Sequence, residues 1–122
     1  KNLYNSNKIK KNLFNNINMN LILSGCHLFN VELSNMDLRG IRFSHAYMNR
    51  ILLKNCNLTG ANLEYADLQE ADLSGANLTG ANLTGANLTG ANLDKTNFSN
   101  TNTNDTIFDN VNLLKIHFDS NL

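Results

Sequence analysis

The stretch from Ala76 to Leu93 reads ANLTGANLTGANLTGANL, which is three identical five-residue units followed by the first three residues of a fourth. In each unit the third residue is Leu, the first is Ala, and the others are polar residues or Gly. A period of five matches neither the two-residue alternation of a strand nor the 3.6-residue period of a helix. The chain must therefore turn once in every unit to point all its leucines into one core, which is the geometry of a solenoid.

The same register continues without a gap from Leu21 to Ser120. Its central positions run from Leu23 to Phe118 in steps of five, and nineteen of these twenty residues are Leu, Phe or Met, with Thr103 as the exception. Burial of each Leu or Phe contributes roughly 1.5–3 kcal/mol. We therefore expect these positions to form the core. Its most regular part is predicted to consist of Leu63, Leu68, Leu73, Leu78, Leu83, Leu88, Leu93 and Phe98.

The unit has Ala, Cys, Thr or Val first, Asn or Asp second, Leu or Phe third, and then two variable residues. This pattern resembles the repeat of the pentapeptide-repeat family. The resemblance implies an all-β fold, a right-handed quadrilateral β-helix with four units, or about 20 residues, in each coil. It also implies that the first and third residues of each unit point inward. The regular β-helix is expected to span residues 21–122.

Residues 1–20 fit the register only in part and are predicted to form a separate N-terminal segment. Lys8 and Asn18 would fall at central positions and break the repeat. The segment is expected to be a degenerate first coil, a helical cap with apolar residues four apart, or disordered, and the sequence leaves these alternatives open. The chain has no initiator Met. We accordingly expect it to be an excised domain or a processed chain.

Two features of the repeat concern its small residues. Gly recurs at the fifth position from Gly75 to Gly90, which suits corners where φ is positive. Cys26 and Cys56 occupy inward first positions, and a 20-residue coil would place them on opposite sides, one coil apart. We expect two buried, reduced cysteines that serve packing, which favours an intracellular location.

The sequence contains no arrangement that is typical of catalysis. His27, His45 and His117 are widely separated and lack Cys or carboxylate residues at metal-ligand spacing. No Gly-rich phosphate-binding loop is present, and no run of 18 apolar residues predicts a membrane span. We expect no cofactor, no metal and no enzymatic activity. An enzyme with an unrecognised surface site is the alternative.

Residues twenty apart are expected to stack at the inter-strand spacing of about 4.8 Å, which places His45 against Tyr65. Aromatic residues and Arg are enriched at binding hot spots, so their clustering predicts a partner surface. The alternative is that these bulky residues are scattered on the surface without a role. The candidate residues are His45, Tyr47, Arg50, Tyr65, Phe29 and Arg42.

Charge divides the chain into two halves. Up to Leu63 there are eight basic and two acidic residues, a net charge of +6, and from Glu64 onward the counts are reversed, a net charge of −6. A straight rod would therefore be an electric dipole that could orient a partner. Direct binding to nucleic acid is not favoured, because four of the lysines form only a terminal cluster, Lys1 to Lys11.

The sequence therefore favours a non-catalytic protein-interaction or scaffold module of a larger protein, with an unidentified protein partner. The alternative is a DNA-mimic-like binder of a nucleic-acid enzyme such as a type II topoisomerase, because some bacterial members of the family resemble DNA in shape and charge. We also expect weak homodimerisation through the C-terminal coil at high protein concentration or ionic strength, where salt screens repulsion between acidic residues.

Overall fold

The computed structural model describes residues 22–118, which form a solenoid held together by single-residue parallel β-bridges. This part of the chain contains no helix and no strand longer than one bridged residue. The bridges join residues twenty apart, from Ile22–Arg42 to Asn97–His117. One coil thus contains four five-residue units. The predicted N-terminal segment and residues 119–122 lie outside the described residues, so the division of the chain at residue 20 stays a prediction.

Every unit is tied to its neighbouring coils through its backbone. The N–H of Tyr47 donates to the carbonyl of Cys26 at 2.9 Å, and the carbonyl of Tyr47 accepts from the N–H of Leu28 at 2.7 Å. At the adjoining corner, the N–H of Gly25 donates to the carbonyl of Ser44 at 2.9 Å. Because this set recurs from coil to coil, stacking satisfies backbone groups that short, isolated strands would leave unpaired.

The corners have a conformation that L-residues rarely adopt. All eighteen fifth positions from Gly25 to Asn110 have a positive φ, in eleven non-glycine residues as well as seven glycines. The turn closes from one unit to the next, as where the N–H of Ala81 donates to the carbonyl of Leu78 at 2.9 Å. A positive φ at the third residue of such a turn is typical of type II. The prediction of positive φ at the glycine corners is confirmed, and it extends to His45 and Tyr65.

The core runs along the axis of the solenoid. The eight central residues from Leu63 to Phe98 are each at most 2% exposed, and the first-position residues Ala61 to Ala91 are buried beside them. Two central residues that the register places inward, Leu113 and Phe118, are 49% and 40% exposed. Phe118 stacks on Phe98 at a centroid distance of 5.7 Å, and its remaining surface is open.

A local change of register accompanies the exposure of Leu113. Among the described residues, the bridge expected between Asn92 and Asn112 is missing. The N–H of Lys95 donates to the carbonyl of Lys115 at 3.0 Å, one residue beyond the partner that the other corners use. The 111–115 unit is therefore displaced relative to the coil before it, and its central side chain is not fully covered.

Hydrogen-bonding side chains at first positions add a second link between coils. Thr96, Thr101 and Thr106 donate their hydroxyls to the carbonyls of central leucines 23 residues earlier, at 2.7–2.8 Å. Cys56 donates its thiol to the equivalent carbonyl, that of Leu33, at 3.0 Å. Cys26 and Cys56 are buried thiols, 3% and 1% exposed. A first-position Thr or Cys thus packs as a small residue and also pairs its polar group.

Candidate functional site

The second and fourth residues of each unit face outward along four sides. We call the side that starts with His27 the aromatic side. Its outward residues are His27, Phe29, Tyr47, Asn49, Asp67, Gln69, Asn87, Thr89, Ile107 and Asp109. The leading corner before it consists of Gly25, His45, Tyr65, Gly85 and Asp105, and the trailing corner after it of Asn30, Arg50, Glu70, Gly90 and Asn110.

On the regular sides, each second-position Asn or Asp orders the residue two places later. The Oδ1 atom of Asn57 accepts the N–H of Thr59 at 3.2 Å and its hydroxyl at 2.7 Å. The same pair of bonds joins Asn77 to Thr79. These are Asx-turn bonds. The outer surface of these sides therefore consists of short polar side chains held close to the backbone. The Asx-turn bonds were not predicted from the sequence, although the repeated Asn-Leu-Thr spacing was the signal.

The aromatic side differs in its first two coils, where large rings replace the short polar side chains. The rings of His27 and Tyr47 meet edge to face at a centroid distance of 4.8 Å. Phe29 lies 5.7 Å from His27 and 6.3 Å from Tyr47, measured between ring centroids. Phe29 and Tyr47 are 48% and 47% exposed. The three rings therefore form one cluster with a large accessible surface.

The leading corner extends this cluster into the next coil. His45 stacks on Tyr65 with a centroid distance of 5.2 Å and an interplanar angle of 18°, as the spacing of twenty residues predicts. The Tyr65 ring lies over Gly85 in the following coil, because it fills the space that a Cβ atom there would need. Tyr65 remains 55% exposed. The absence of a Cβ atom at Gly85 thus leaves room for the ring of Tyr65, whose own backbone is in the left-handed conformation.

The two arginines of the candidate surface lie in different places. Arg50, at the trailing corner, donates from Nε to Oδ1 of Asn30 at 3.2 Å and pairs with Glu70 at 3.6 Å. Arg42 lies on the preceding side, bridged to Ile22 and Asn62. The structure therefore places His45, Tyr47, Arg50, Tyr65 and Phe29 on the aromatic side and its corners, and Arg42 outside them.

Negative charge collects on the same face of the solenoid. Five of the nine carboxylates within residues 22–118 lie on the aromatic side, at its corners or, in one case, directly before the leading corner. They are Glu64, Asp67, Glu70, Asp105 and Asp109, and the same surface carries a single cation, Arg50. The charge of the described coils is therefore uneven around the axis as well as along it.

Away from the aromatic side, the described residues form surface cavities but no metal-binding cluster and no membrane-spanning helix. Within residues 22–118, no group of three or more His, Cys, Asp and Glu residues could hold a metal ion, and no helix has the length and apolarity to cross a bilayer. Two surface cavities of about 260 and 370 Å³ share Asn92 and Asp94 on the side after the trailing corner. Oδ1 of Asp94 is buried there without a hydrogen-bond partner.

Comparison with known proteins agrees with the geometry. A family model described as a pentapeptide repeat region matches residues 26–93, and a second, described as pentapeptide repeats, matches residues 76–114. The chain belongs to the pentapeptide-repeat family. Among functionally curated proteins, none matches the chain.

Several pentapeptide-repeat proteins of known structure are similar to it. One from Nostoc PCC 7120 is 30% identical over 93% of this chain and 94% of its own length, with a TM-score of 0.67. A protein of the Arabidopsis thaliana thylakoid lumen is 33% identical over 79% of this chain, with a TM-score of 0.59. HetL, also from Nostoc and involved in heterocyst differentiation regulation, is 30% identical over 91% of this chain, with a TM-score of 0.58. The chain spans 60% of the Arabidopsis protein and 48% of HetL.

Pentapeptide-repeat proteins are, in general, non-enzymatic structural or interaction proteins built as quadrilateral β-helices. The twenty-residue spacing of the bridges and the four turns in each coil fit that architecture. The aromatic side thus departs from the short polar side chains of the regular sides.

Proposed function

We propose that this pentapeptide-repeat chain is a non-catalytic interaction or scaffold module of a larger protein, and that its partner contacts the aromatic side. The observation that supports this most is the exposed cluster of Phe29, Tyr47 and Tyr65 with two adjoining histidines. Exposed aromatic rings that are rigid and contiguous are the typical anchors of protein interfaces. A regulatory role of the kind named for HetL would be consistent with such binding.

A DNA-mimic-like role is the second candidate, because the aromatic side is also acidic. Its five carboxylates lie in the third and fifth of five coils, and the five coils span about 19 Å at about 4.8 Å between coils. B-DNA carries one charge per about 1.7 Å of its axis, or about eleven over that length. Averaged over the five coils, the charge density is about half that of DNA, and the first two coils carry no carboxylate on this surface, which favours an interaction module with aromatic anchors. Inhibition of gyrase supercoiling by the chain would instead support the mimic.

A patch variant tests the leading proposal in the parent protein. It combines Tyr47→Ser with His45→Asn, Arg50→Asn and Tyr65→Asn, since Asn tolerates the positive φ of the last three positions. The control is Leu52→Ser with Lys54→Ser, at the second and fourth positions of the next side, directly after the trailing corner. In cross-linking mass spectrometry, the cross-links to the partner should disappear in the patch variant and persist in the control. Equal cross-linking of both variants would overturn the proposal.

Two finer features are proposed on other grounds. We infer the right-handed course of the coils from the family, and an atomic-resolution crystal structure with left-handed coils would contradict it. We also propose an intracellular location, supported by the burial of Cys26 and Cys56 as thiols. Detection of the parent protein mainly outside the cell would contradict that proposal.

A further inference from the structure

Two of the five carboxylates on or beside the aromatic side, Asp67 and Glu64, are positioned by neutral donors. Nε2 of Gln69 donates to both oxygens of Asp67, at 2.9 and 3.2 Å. Nδ2 of Asn82 donates to Oε1 of Glu64 at 2.5 Å. These amide groups restrict the carboxylates without cancelling their charge. A cationic partner would therefore meet negative groups whose conformational freedom is already reduced, which lowers the entropic cost of binding.

Aromatic residues are the backbone neighbours of these carboxylates. Tyr47 is bridged to Asp67 in the next coil, and Glu64 immediately precedes Tyr65 in the sequence. A guanidinium or ammonium group binds the face of an aromatic ring within about 6 Å of its centroid. Arg can also stack on a ring while it donates to a carboxylate. The neighbouring rings and carboxylates thus suit the side chains of Arg and Lys.

We propose that the aromatic side binds an extended, Arg- and Lys-rich segment of a partner protein, an inference that rests on the proposed interaction function. The surface from His27 to Ile107 spans four coil spacings, about 19 Å at about 4.8 Å each, which matches about six extended residues. Asp67 and Asp109 are two coils apart, about 10 Å, or about three extended residues. Basic residues three apart in the partner would therefore reach both carboxylates.

A negatively charged partner is unfavourable for this surface. A nucleic-acid strand could stack bases on the same rings, but its phosphates would meet five carboxylates and one arginine. Arg50 is also engaged with Glu70 and Asn30. Charge complementarity thus selects the basic peptide over single-stranded nucleic acid.

Titration of the full chain with defined probes tests the inference. The probe is a capped nine-residue peptide with Arg at its second, fifth and eighth positions and Gly or Ser elsewhere. The comparison probes are the same peptide with Glu in place of Arg and a ten-nucleotide oligothymidylate. Calorimetry should detect binding of the Arg peptide alone, weakened by added salt, and NMR shifts should centre on Tyr47 and Tyr65. Binding of the oligonucleotide, or no binding of the Arg peptide, would overturn the proposal.

Matched variants distinguish this surface from general charge attraction. Tyr47→Leu removes the ring and should weaken binding of the Arg peptide about fivefold. Asp67→Asn should also weaken this binding, while it keeps an acceptor for Gln69. The control is Asp72→Asn on the next side, where the carboxylate likewise accepts from the residue two places later, Ser74, at 2.6 Å. Circular dichroism verifies that each variant folds. Equal weakening by Asp67→Asn and Asp72→Asn would overturn the proposal.

The two tests can fail independently. If the patch variant no longer binds the natural partner but the wild-type chain does not bind the Arg peptide, the interaction function stands and the basic partner is wrong. If the Arg peptide binds as expected but the patch variant still binds the natural partner fully, the surface can hold basic segments but is not the site that the parent protein uses.

Discussion

The hydroxyl of Thr96 donates to the carbonyl of Leu73 across 2.8 Å, from the first position of one unit to the central residue of an earlier unit, 23 residues before it. The same carbonyl oxygen also accepts the N–H of Ala76 at 2.9 Å, so the Thr96 hydroxyl donates to the second lone pair of that oxygen. Thr96 is fully buried. Loss of the hydroxyl would therefore leave no backbone group unpaired, and its effect would report the side-chain bond itself.

Thr96→Val tests the value of this bond. Val keeps nearly the volume of Thr but cannot donate, so we expect the free energy of unfolding to fall by about 1 kcal/mol. Urea denaturation of the two proteins measures the difference. Thr96→Ser, which keeps the donor, is the companion variant and should retain the bond to Leu73. A Thr96→Val protein at least as stable as wild type would show that packing alone decides this position.

Leu78→Asp tests the core. Leu78 is fully buried, and an unpaired carboxylate there costs several kcal/mol because it loses its hydration. We expect the middle coils to unfold, with a loss of the cooperative thermal transition in circular dichroism. Thr79→Asp is the control, since the adjacent side chain is only half-buried and lies on the outer surface. An unchanged transition in Leu78→Asp would contradict the inward placement of this residue.

The two thiols should be protected from reagents while the chain is folded. Cys26 and Cys56 are 3% and 1% exposed, and thiol reactivity requires access as well as ionisation. We expect Ellman's reagent to label neither residue in native buffer and both in concentrated urea. Rapid labelling under native conditions would mean that the first described coils open on the timescale of the reaction.

Gly85→Ala and Gly60→Ala should differ in stability although both corners have a positive φ, of 67° and 70°. The left-handed conformation costs an L-residue about 1–2 kcal/mol at each site. At Gly60 nothing lies within 4 Å of an added Cβ atom, whereas at Gly85 the atom would collide with the Tyr65 ring. We therefore expect Gly85→Ala to be the more destabilising in urea denaturation and to shift the Tyr65 ring signals in NMR. In a Tyr65→Asn background the two alanine variants should become equivalent.

The pair of Asp37 and Arg39 should make a small, pH-dependent contribution to stability. The hydrogen bond from the Arg39 side chain holds the pKa of Asp37 below its ordinary value of 3.8. Because the folded-state pKa is lowered, the stabilisation is present above the ordinary value and is lost as the pH falls through the lowered one. Both side chains are about half exposed, at 57% for Arg39 and 49% for Asp37, so salt should weaken the effect.

Comparison with Asp37→Asn measures that contribution. The stability difference between wild type and variant, from urea denaturation, should be largest above about pH 5 and should shrink between about pH 4 and pH 2. A difference that grows as the pH falls would mean that the carboxylate stabilises the fold in its protonated form.

Five-residue periodicity was enough to predict the solenoid and its central leucines, because only a turn in every unit can bring Leu63 and Leu78 into one core. It could not predict the slipped register at Lys95 and Lys115, because the spacing of the units is unchanged there. The hydroxyl bond of Thr96 also escaped prediction, since periodicity identifies an inward small residue without showing which carbonyl its polar group can reach.

The candidate site was predictable where it depends on the coil length. A period of twenty was enough to place His45 against Tyr65, and it could also have shown that Arg42 belongs to a different side. The contact of Tyr65 with Gly85 depends on the direction in which a corner side chain leaves the backbone. That direction follows from the positive φ at position 65, which the sequence does not suggest for a tyrosine.

The core of this solenoid repeats every five residues, whereas its surface columns repeat every twenty. Insertion of one ANLTG unit after Gly60 would leave every downstream Leu at an inward position. It would also advance the downstream surface by a quarter turn relative to the upstream surface, so that Tyr65 would leave its place beneath His45 and move to a neighbouring edge. Duplication of a single unit can thus lengthen the rod and change which surface residues stack on one another. Only the insertion of a whole coil of four units keeps the original stacking of the surface residues.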